Sequence, residues 1–138
     1  MKEKIILIGG GGHCKSCIDV IEQEGKYQIA GIVDVPEKIH QRILGYEIIG
    51  TDEELPLMAK QYSSFLITIG QIRSANKRIV LFNRLRGMGA RFPVIFSPLS
   101  YVSKHATVAE GTIVMHHALA NAGAKVGANL HYQHQSAY

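Results

Sequence analysis

The residues best placed to do chemistry lie close to the start of the chain. Ile5-Ile6-Leu7-Ile8 runs into Gly9-Gly10-Gly11-Gly12, and His13 follows at once. Glycines between an apolar run and a helix let the backbone come close to a phosphate, with helix N–H groups aimed at it. A tight turn chosen for packing would use the same residues. His13 could donate to a ligand phosphate or sugar, or it could simply help begin the helix. Asp34, about twenty residues on, sits where a dinucleotide-binding unit keeps its ribose-binding acid, and an ordinary strand-end Asp is as common. As a dinucleotide fingerprint the run is incomplete. From Gly9 it reads Gly-x-Gly-x-x-Cys14 and lacks the third glycine.

Cys14 and Cys17 form a C-x-x-C. At a helix start Cys14 could have a lowered pKa, which invites a redox reading. Thioredoxin-like surroundings are missing, and zinc would need a second ligand pair. Two ordinary small residues are expected here, and no metal. His116 and His117 are expected as exposed corner residues. His131 and His134 have no spacing that argues for a metal or a base.

Positioning these groups requires alternating elements. Ile5 to Ile8 suits a strand buried on both faces, as in a parallel sheet. A helix follows, with Cys17, Ile18 and Ile21 on one side and Gly25 at its end. Ile29–Val33 is a second strand, closed by Asp34. Tyr46–Ile49 is short and extended, and Thr51 caps an acidic first turn. Phe65–Ile69 is another strand, ending in Gly70. A long helix from about Arg73 to Arg86 should carry Ile79, Phe82 and Leu85 on one side, and Phe92–Ile95 reads as a last strand. Such alternation is the grammar of an open α/β sheet, whose ligands bind at the carboxyl ends of the strands. Gly9 to His13, Asp34 and Ile69-Gly70 therefore converge on one crevice.

Beyond Ser97-Pro98-Leu99 the helical spacing vanishes and the chain counts in sixes. Val102, Val108, Val114, Ala120 and Val126 are six apart, and Ala106, Thr112, Ala118, Ala124 and Leu130 keep the same step. A period of six fits neither a helix nor a simple strand. It marks a β-helix of hexapeptide rungs, with three hexads to a coil and about two coils here. After Leu130 the hexad His131-Tyr132-Gln133-His134-Gln135-Ser136 is polar where a rung should be apolar. Regular rungs are expected to stop there, with self-association or a disordered tail. Two units are expected, residues 1–97 and 98–138.

Composition sets bounds on function. A hydrophobic content of 46% with 19% charged residues describes a soluble globular chain. The net charge of +4 is mild, and Lys77, Arg78, Arg84, Arg86 and Arg91 are expected to form a solvated helical face. Basic residues are not interleaved with exposed aromatics, so nucleic acid is not an expected partner. No apolar stretch reaches the ~20 residues of a membrane span. Met1-Lys2-Glu3-Lys4 opens onto only four apolar residues, unlike a secretory leader, so the cytoplasm is the expected location.

Gly9-Gly10-Gly11-Gly12-His13 resembles the Gly-x-x-Gly-His loop of the bacterial sugar O- and N-acetyltransferases related to sialic acid O-acetyltransferase and to the bacillosamine-pathway acetyltransferase. Val33-Asp34, Leu44 to Gly50, Thr68-Ile69-Gly70 and Ile95-Phe96-Ser97-Pro98 carry the likeness onward, as do Gly111 to Met115 and Asn121 to Gly127. The resemblance implies a small Rossmann-like domain followed by a left-handed parallel β-helix. It implies that the crevice binds a nucleotide-linked amino sugar, typically a UDP-sugar, with the glycine loop and His13 at the phosphates. Asp34 would contact uracil or ribose, Ile69 and Gly70 would line the pocket, and Arg73 would add a polar contact.

It further implies acetyl-CoA as co-substrate, a homotrimer holding it between neighbouring β-helices, and a role in surface glycan synthesis. A histidine acts as general base in that family, and its position falls beyond Tyr138, so no residue here is assigned as catalytic. Turnover by this chain is therefore expected to be absent or impaired. A frameshift or early stop in a longer ancestor is the expected origin of the polar tail. Two alternatives stand beside the enzyme: a non-catalytic nucleotide-sugar-binding remnant, and an NAD-type Rossmann module.

Overall fold

The computed structural model describes residues 2–133, with the backbone alone for residues 71–75. Its main sheet holds β1 (Glu3–Ile8), β2 (Tyr27–Val33), β3 (Arg42–Ile43), β4 (Tyr46–Gly50) and β5 (Ser64–Ile67), in the order β3-β4-β2-β1-β5. β1 lies at the centre and pairs in parallel with β2 and β5, while β4 runs parallel to β2. β3 joins β4 antiparallel at the edge.

The apolar run predicted to be buried on both faces is so. Ile5 and Leu7 pack with α1 (Gly12–Glu24) on one face. Ile6 and Ile8 pack on the other with α2 (Leu55–Gln61) and α3 (Gln71–Gly87). Each such buried aliphatic contributes roughly 1.5–3 kcal/mol. Cys17, Ile18 and Ile21 share the buried side of α1, and Gly25 ends that helix at φ 74°, its N–H donating to the Ile21 carbonyl. Thr51 and Glu54 form a capping box before α2.

α3 departs from its predicted face. Leu81, Phe82 and Leu85 are buried as a stripe, but Ile79 is exposed. Arg78, expected in water, is only 3% exposed. The sequence pattern misplaces it because an Arg in a helical charge run is ordinarily solvated, whereas here a second layer of chain covers it.

That layer is a series of two-residue strands at a constant step of six: β6 (Ile95–Phe96), β7 (Tyr101–Val102), β8 (Thr107–Val108), β9 (Ile113–Val114), β10 (Leu119–Ala120), β11 (Lys125–Val126) and β12 (His131–Tyr132). They stack in three parallel sets, β7 with β10, β8 with β11, and β6 with β9 and β12. Each strand pairs with the one three hexads later. Two expectations are corrected by this pairing. Ile95 does not extend the main sheet; it opens the stack that continues through β9. The count also does not stop at Leu130, because His131 and Tyr132 pair with Ile113 and Val114 as a further rung.

The stacks pack on the sheet domain through shared core, with Ile95, Ile113 and Met115 joining the cluster around α1. The Phe96 N–H donates to Glu24 across the same seam. Among the described residues, no helix is long and apolar enough to cross a membrane.

Candidate functional site

The chain leaves β1 through Gly9, whose φ of 113° belongs to the region that favours glycine. A side chain there would meet Ile69 Cγ1 at 2.5 Å. The Gly9 carbonyl accepts from the buried Thr68 hydroxyl at 2.6 Å, and its N–H donates to the Val33 carbonyl at 2.8 Å. Gly10 donates its N–H to Asp34 Oδ2 at 2.9 Å, and a Cβ on Gly10 would lie 2.8 Å from that oxygen. The other Asp34 oxygen accepts from the Val35 N–H at 2.8 Å, and Lys38 Nζ stands 3.5 Å away. Asp34 thus ties the end of β2 to the glycine loop. A carboxylate has about four lone-pair sites, so capacity remains for a ligand hydroxyl. Gly11 and Gly12 differ from their neighbours: an added Cβ would meet nothing within 4 Å at either.

These residues wall a crevice of about 1030 Å³ at the carboxyl ends of β1, β2 and β5. Gly9, Gly10, Gly11, Gly12, His13, Asp34, Ile69 and Gly70 all line it. Its volume matches the upper range of small-molecule sites, roughly 300–1,000 Å³. The Arg73 side chain lies outside the described residues. Three lining residues were not expected in the site: Lys38, Lys77, which was expected on a solvated helical face, and Thr68, which anchors the loop from below. Lys38 was legible as the fourth residue after Asp34, within reach if the chain turned. Lys77 needed the orientation of α3, which the exposed Ile79 shows the pattern misjudges.

His131 was read as part of an irregular tail. The structure carries it on β12 into the crevice wall, 4% exposed, its ring stacked on that of His13 at 4.2 Å between centroids and 12° between planes. Its Nε2 lies 2.7 Å from the Ile67 carbonyl and 3.0 Å from Arg78 Nη1. Burial pushes its pKa down to about 3, opposed by the contact with the Ile67 carbonyl and helped by the charge of Arg78 and, less, by His13. His13 is lowered too, by burial first and by Arg78 second. Arg78 donates to the Ile69 carbonyl at 2.5 Å and to the backbone and side-chain oxygens of Asn129, while Asn129 Nδ2 donates back to the Arg78 carbonyl. One buried guanidinium therefore links the ends of the main sheet to the repeat strands.

Cys14 and Cys17 are buried free thiols. The lowered Cys14 pKa expected at a helix start is not found; burial pushes it up to about 11. Burial raises Cys17 as well. His117 is exposed as predicted, but His116 is half-buried, with Nδ1 2.5 Å from Ser97 Oγ and Nε2 2.8 Å from Asp19 Oδ2. It joins α1 to the repeat strands, away from the crevice.

A central parallel sheet, helices on both faces and a glycine turn opening a crevice at the strand ends define a Rossmann-like α/β domain. The chain belongs to the family described as the PglD N-terminal domain, whose model matches residues 4–85. The sugar acetyltransferase resemblance stated from the sequence is supported on this ground. Among solved structures, PerB from Caulobacter crescentus, in complex with CoA and GDP-perosamine, is 30% identical. It superposes at a TM-score of 0.78, over 91% of this chain and 57% of that one.

The acetyltransferase domain of PglB from Neisseria gonorrhoeae FA1090, in complex with acetyl coenzyme A, is 24% identical. It superposes at a TM-score of 0.80, over 94% of this chain and 62% of that one, a likeness of fold alone. UDP-D-quinovosamine 4-dehydrogenase from Vibrio fischeri shares the fold more distantly, at 16% identity and a TM-score of 0.53 over 66% of this chain and 75% of that one. This chain spans about three fifths of the length of the two acetyltransferase structures. No curated protein matches it.

Proposed function

We propose that the crevice binds a nucleotide-linked amino sugar, a UDP-sugar in the first instance, and that the protein's reaction is acetylation of that sugar by acetyl-CoA. One observation carries the reading: Gly11 and Gly12 stand open at the N-terminus of α1, opposite Asp34, in a crevice of nucleotide-sugar size. The N–H groups of that first helical turn favour a diphosphate, with Lys38 and Lys77 adding positive charge at the rim. Asp34 accepts from ribose or base. PerB, solved with GDP-perosamine and CoA, supports a nucleotide sugar over NAD and acetyl-CoA as the donor.

In the reaction the sugar amine or hydroxyl attacks the thioester carbonyl, CoA departs as the thiol, and a base takes the nucleophile's proton. His131 is not that base. A pKa of about 3 leaves it too weak to hold a proton at neutral pH. The three stacks of two-residue strands are read as coils of a left-handed parallel β-helix, and trimers built on it would hold acetyl-CoA between subunits. Surface glycan synthesis in the cytoplasm is the setting this chemistry fits.

Calorimetric titration of the chain with UDP, UDP- and GDP-linked amino sugars, acetyl-CoA and NAD tests the proposal. The nucleotide sugars should bind and NAD should not. Binding of NAD with silence from every nucleotide sugar would replace this reading with the dinucleotide one. Heat from acetyl-CoA with acetylated product would establish turnover; nucleotide-sugar binding alone would favour the non-catalytic alternative.

A further inference from the structure

β12 brings one imidazole to the point where the elements of the crevice meet. The His131 ring is stacked on that of His13, in the first turn of α1, with 4.2 Å between centroids and 12° between planes. Its Nε2 lies 2.7 Å from the Ile67 carbonyl at the end of β5 and 3.0 Å from Arg78 Nη1 on α3. His131 is buried, whereas His13 is half-buried and lines the crevice beside Gly11 and Gly12. His13 Nε2 is withdrawn from water and has no hydrogen-bond partner among the described residues. At that edge the ring is placed by packing, and His131 supplies the flat surface it packs on.

We infer that His131 is a positioning residue of the crevice: docked as a rung, it fixes the His13 ring, and with it the first turn of α1, where a nucleotide diphosphate needs them. The role rests on the nucleotide-sugar reading of the crevice, and His131 acts in it through His13. The protein itself sets the place of His131. β12 is held to β9 by the Ile113 N–H on the Leu130 carbonyl and the Met115 N–H on the Tyr132 carbonyl, each at 2.9 Å. A neighbour fixed in this way lowers the ordering entropy that binding must overcome.

The placement holds while the imidazoles are neutral. Facing His131 are His13 and Cys17 from α1 and Arg78 from α3. β5 presents the Ile67 carbonyl, and β9 presents Ile113 and Val114, which carry no charge. Lys77 of α3 lines the same crevice. A proton on either ring would put a second cation beside Arg78 in a buried place. Burial first, opposed at His131 by the Ile67 carbonyl, and then the charge of Arg78 hold both rings below their ordinary pKa, His131 at about 3. Freed from the stack, His131 titrates near the ordinary imidazole value of about 6.5. The docked rung is therefore fully favoured above that pH and loses ground as pH falls toward about 3.

Two variants separate the ring from its polar contacts: His131→Phe keeps a stacked ring, and His131→Ala removes it. In calorimetry at pH 7.5 with UDP- and GDP-linked amino sugars, His131→Ala should bind at least about tenfold more weakly than wild type, and His131→Phe should stay within about threefold. Circular dichroism checks that both variants fold. Hydrogen exchange at the Met115 amide, which bonds to the Tyr132 carbonyl, reports docking of the rung with no ligand present. Corrected for intrinsic exchange, its opening should rise about 30-fold from pH 7.5 to pH 5 in wild type, and several-fold less in His131→Phe. Undiminished binding by folded His131→Ala overturns the inference. An equal loss in both variants does so too, because the polar contacts and not the ring would then matter, and so does wild-type exchange that ignores pH. A wild-type chain that binds no nucleotide sugar sinks the underlying reading and this role with it, a failure seen without any variant. The wild-type exchange profile decides even if neither variant folds.

Discussion

At the scale of single residues, Arg78 and Asp34 do most to hold the site in place, and both act through the backbone. Arg78 is a buried cation whose guanidinium lies against oxygen atoms of Ile67, Ile69 and Asn129 and against Nε2 of His131. Hydrogen bonds to a charged group are worth about 1.5–3 kcal/mol each, offset by the cost of burying the charge. Arg78→Met removes the donors and leaves the Ile69 and Asn129 oxygens without them, so a loss of about 2–4 kcal/mol in unfolding free energy is expected from urea denaturation. Arg84→Met, on an exposed position of the same helix, should stay within about 0.5 kcal/mol. Equal effects from the two would show that the buried guanidinium contributes nothing special. Asp34 was legible from the sequence as a strand-end acid. Its grip on the Gly10 N–H was not, because that contact depends on where the loop after β1 turns.

At the scale of elements, the glycine loop divides into two parts with different work. Gly9 is held by backbone conformation and by Ile69, and Gly10 by Asp34. Gly11 and Gly12 are under no such steric constraint in the protein alone. Gly9→Ala should therefore destabilise the fold by about 1–3 kcal/mol, from strain at positive φ and the clash with Ile69. Gly12→Ala should leave stability unchanged or slightly raised, since Ala is the better helix former, yet weaken nucleotide-sugar binding at least about tenfold. Thermal unfolding and calorimetry on the two variants check this, and tight binding by Gly12→Ala would place the ligand elsewhere.

The sequence showed four consecutive glycines with nothing to separate them; the division comes from the neighbours each one meets. The repeat strands were legible in the same partial way. Their period of six was plain, but the polar rung at His131 read as an end because rungs are expected to be apolar. The structure accommodates that imidazole by stacking it on His13 and bonding it to the Ile67 carbonyl. Sequence periodicity cannot supply a partner from another part of the chain. Ile95 was assigned to the wrong sheet for a related reason: a two-residue apolar strand has the same pattern in either setting.

At the scale of the whole molecule, the repeat strands do more than follow the sheet domain. Through Ile95, Ile113 and Met115 they share its core, and through His131 they form part of the crevice wall. The pocket that the fold rule places at the strand ends is therefore completed by residues from the end of the described chain. The most direct test is a crystal structure of the chain soaked with a UDP- or GDP-linked amino sugar. The diphosphate is expected against the N–H groups of Gly11, Gly12 and His13, with Asp34 accepting from the nucleoside. A nucleotide sugar seated away from the glycine loop, with the crevice filled by water alone, would contradict it.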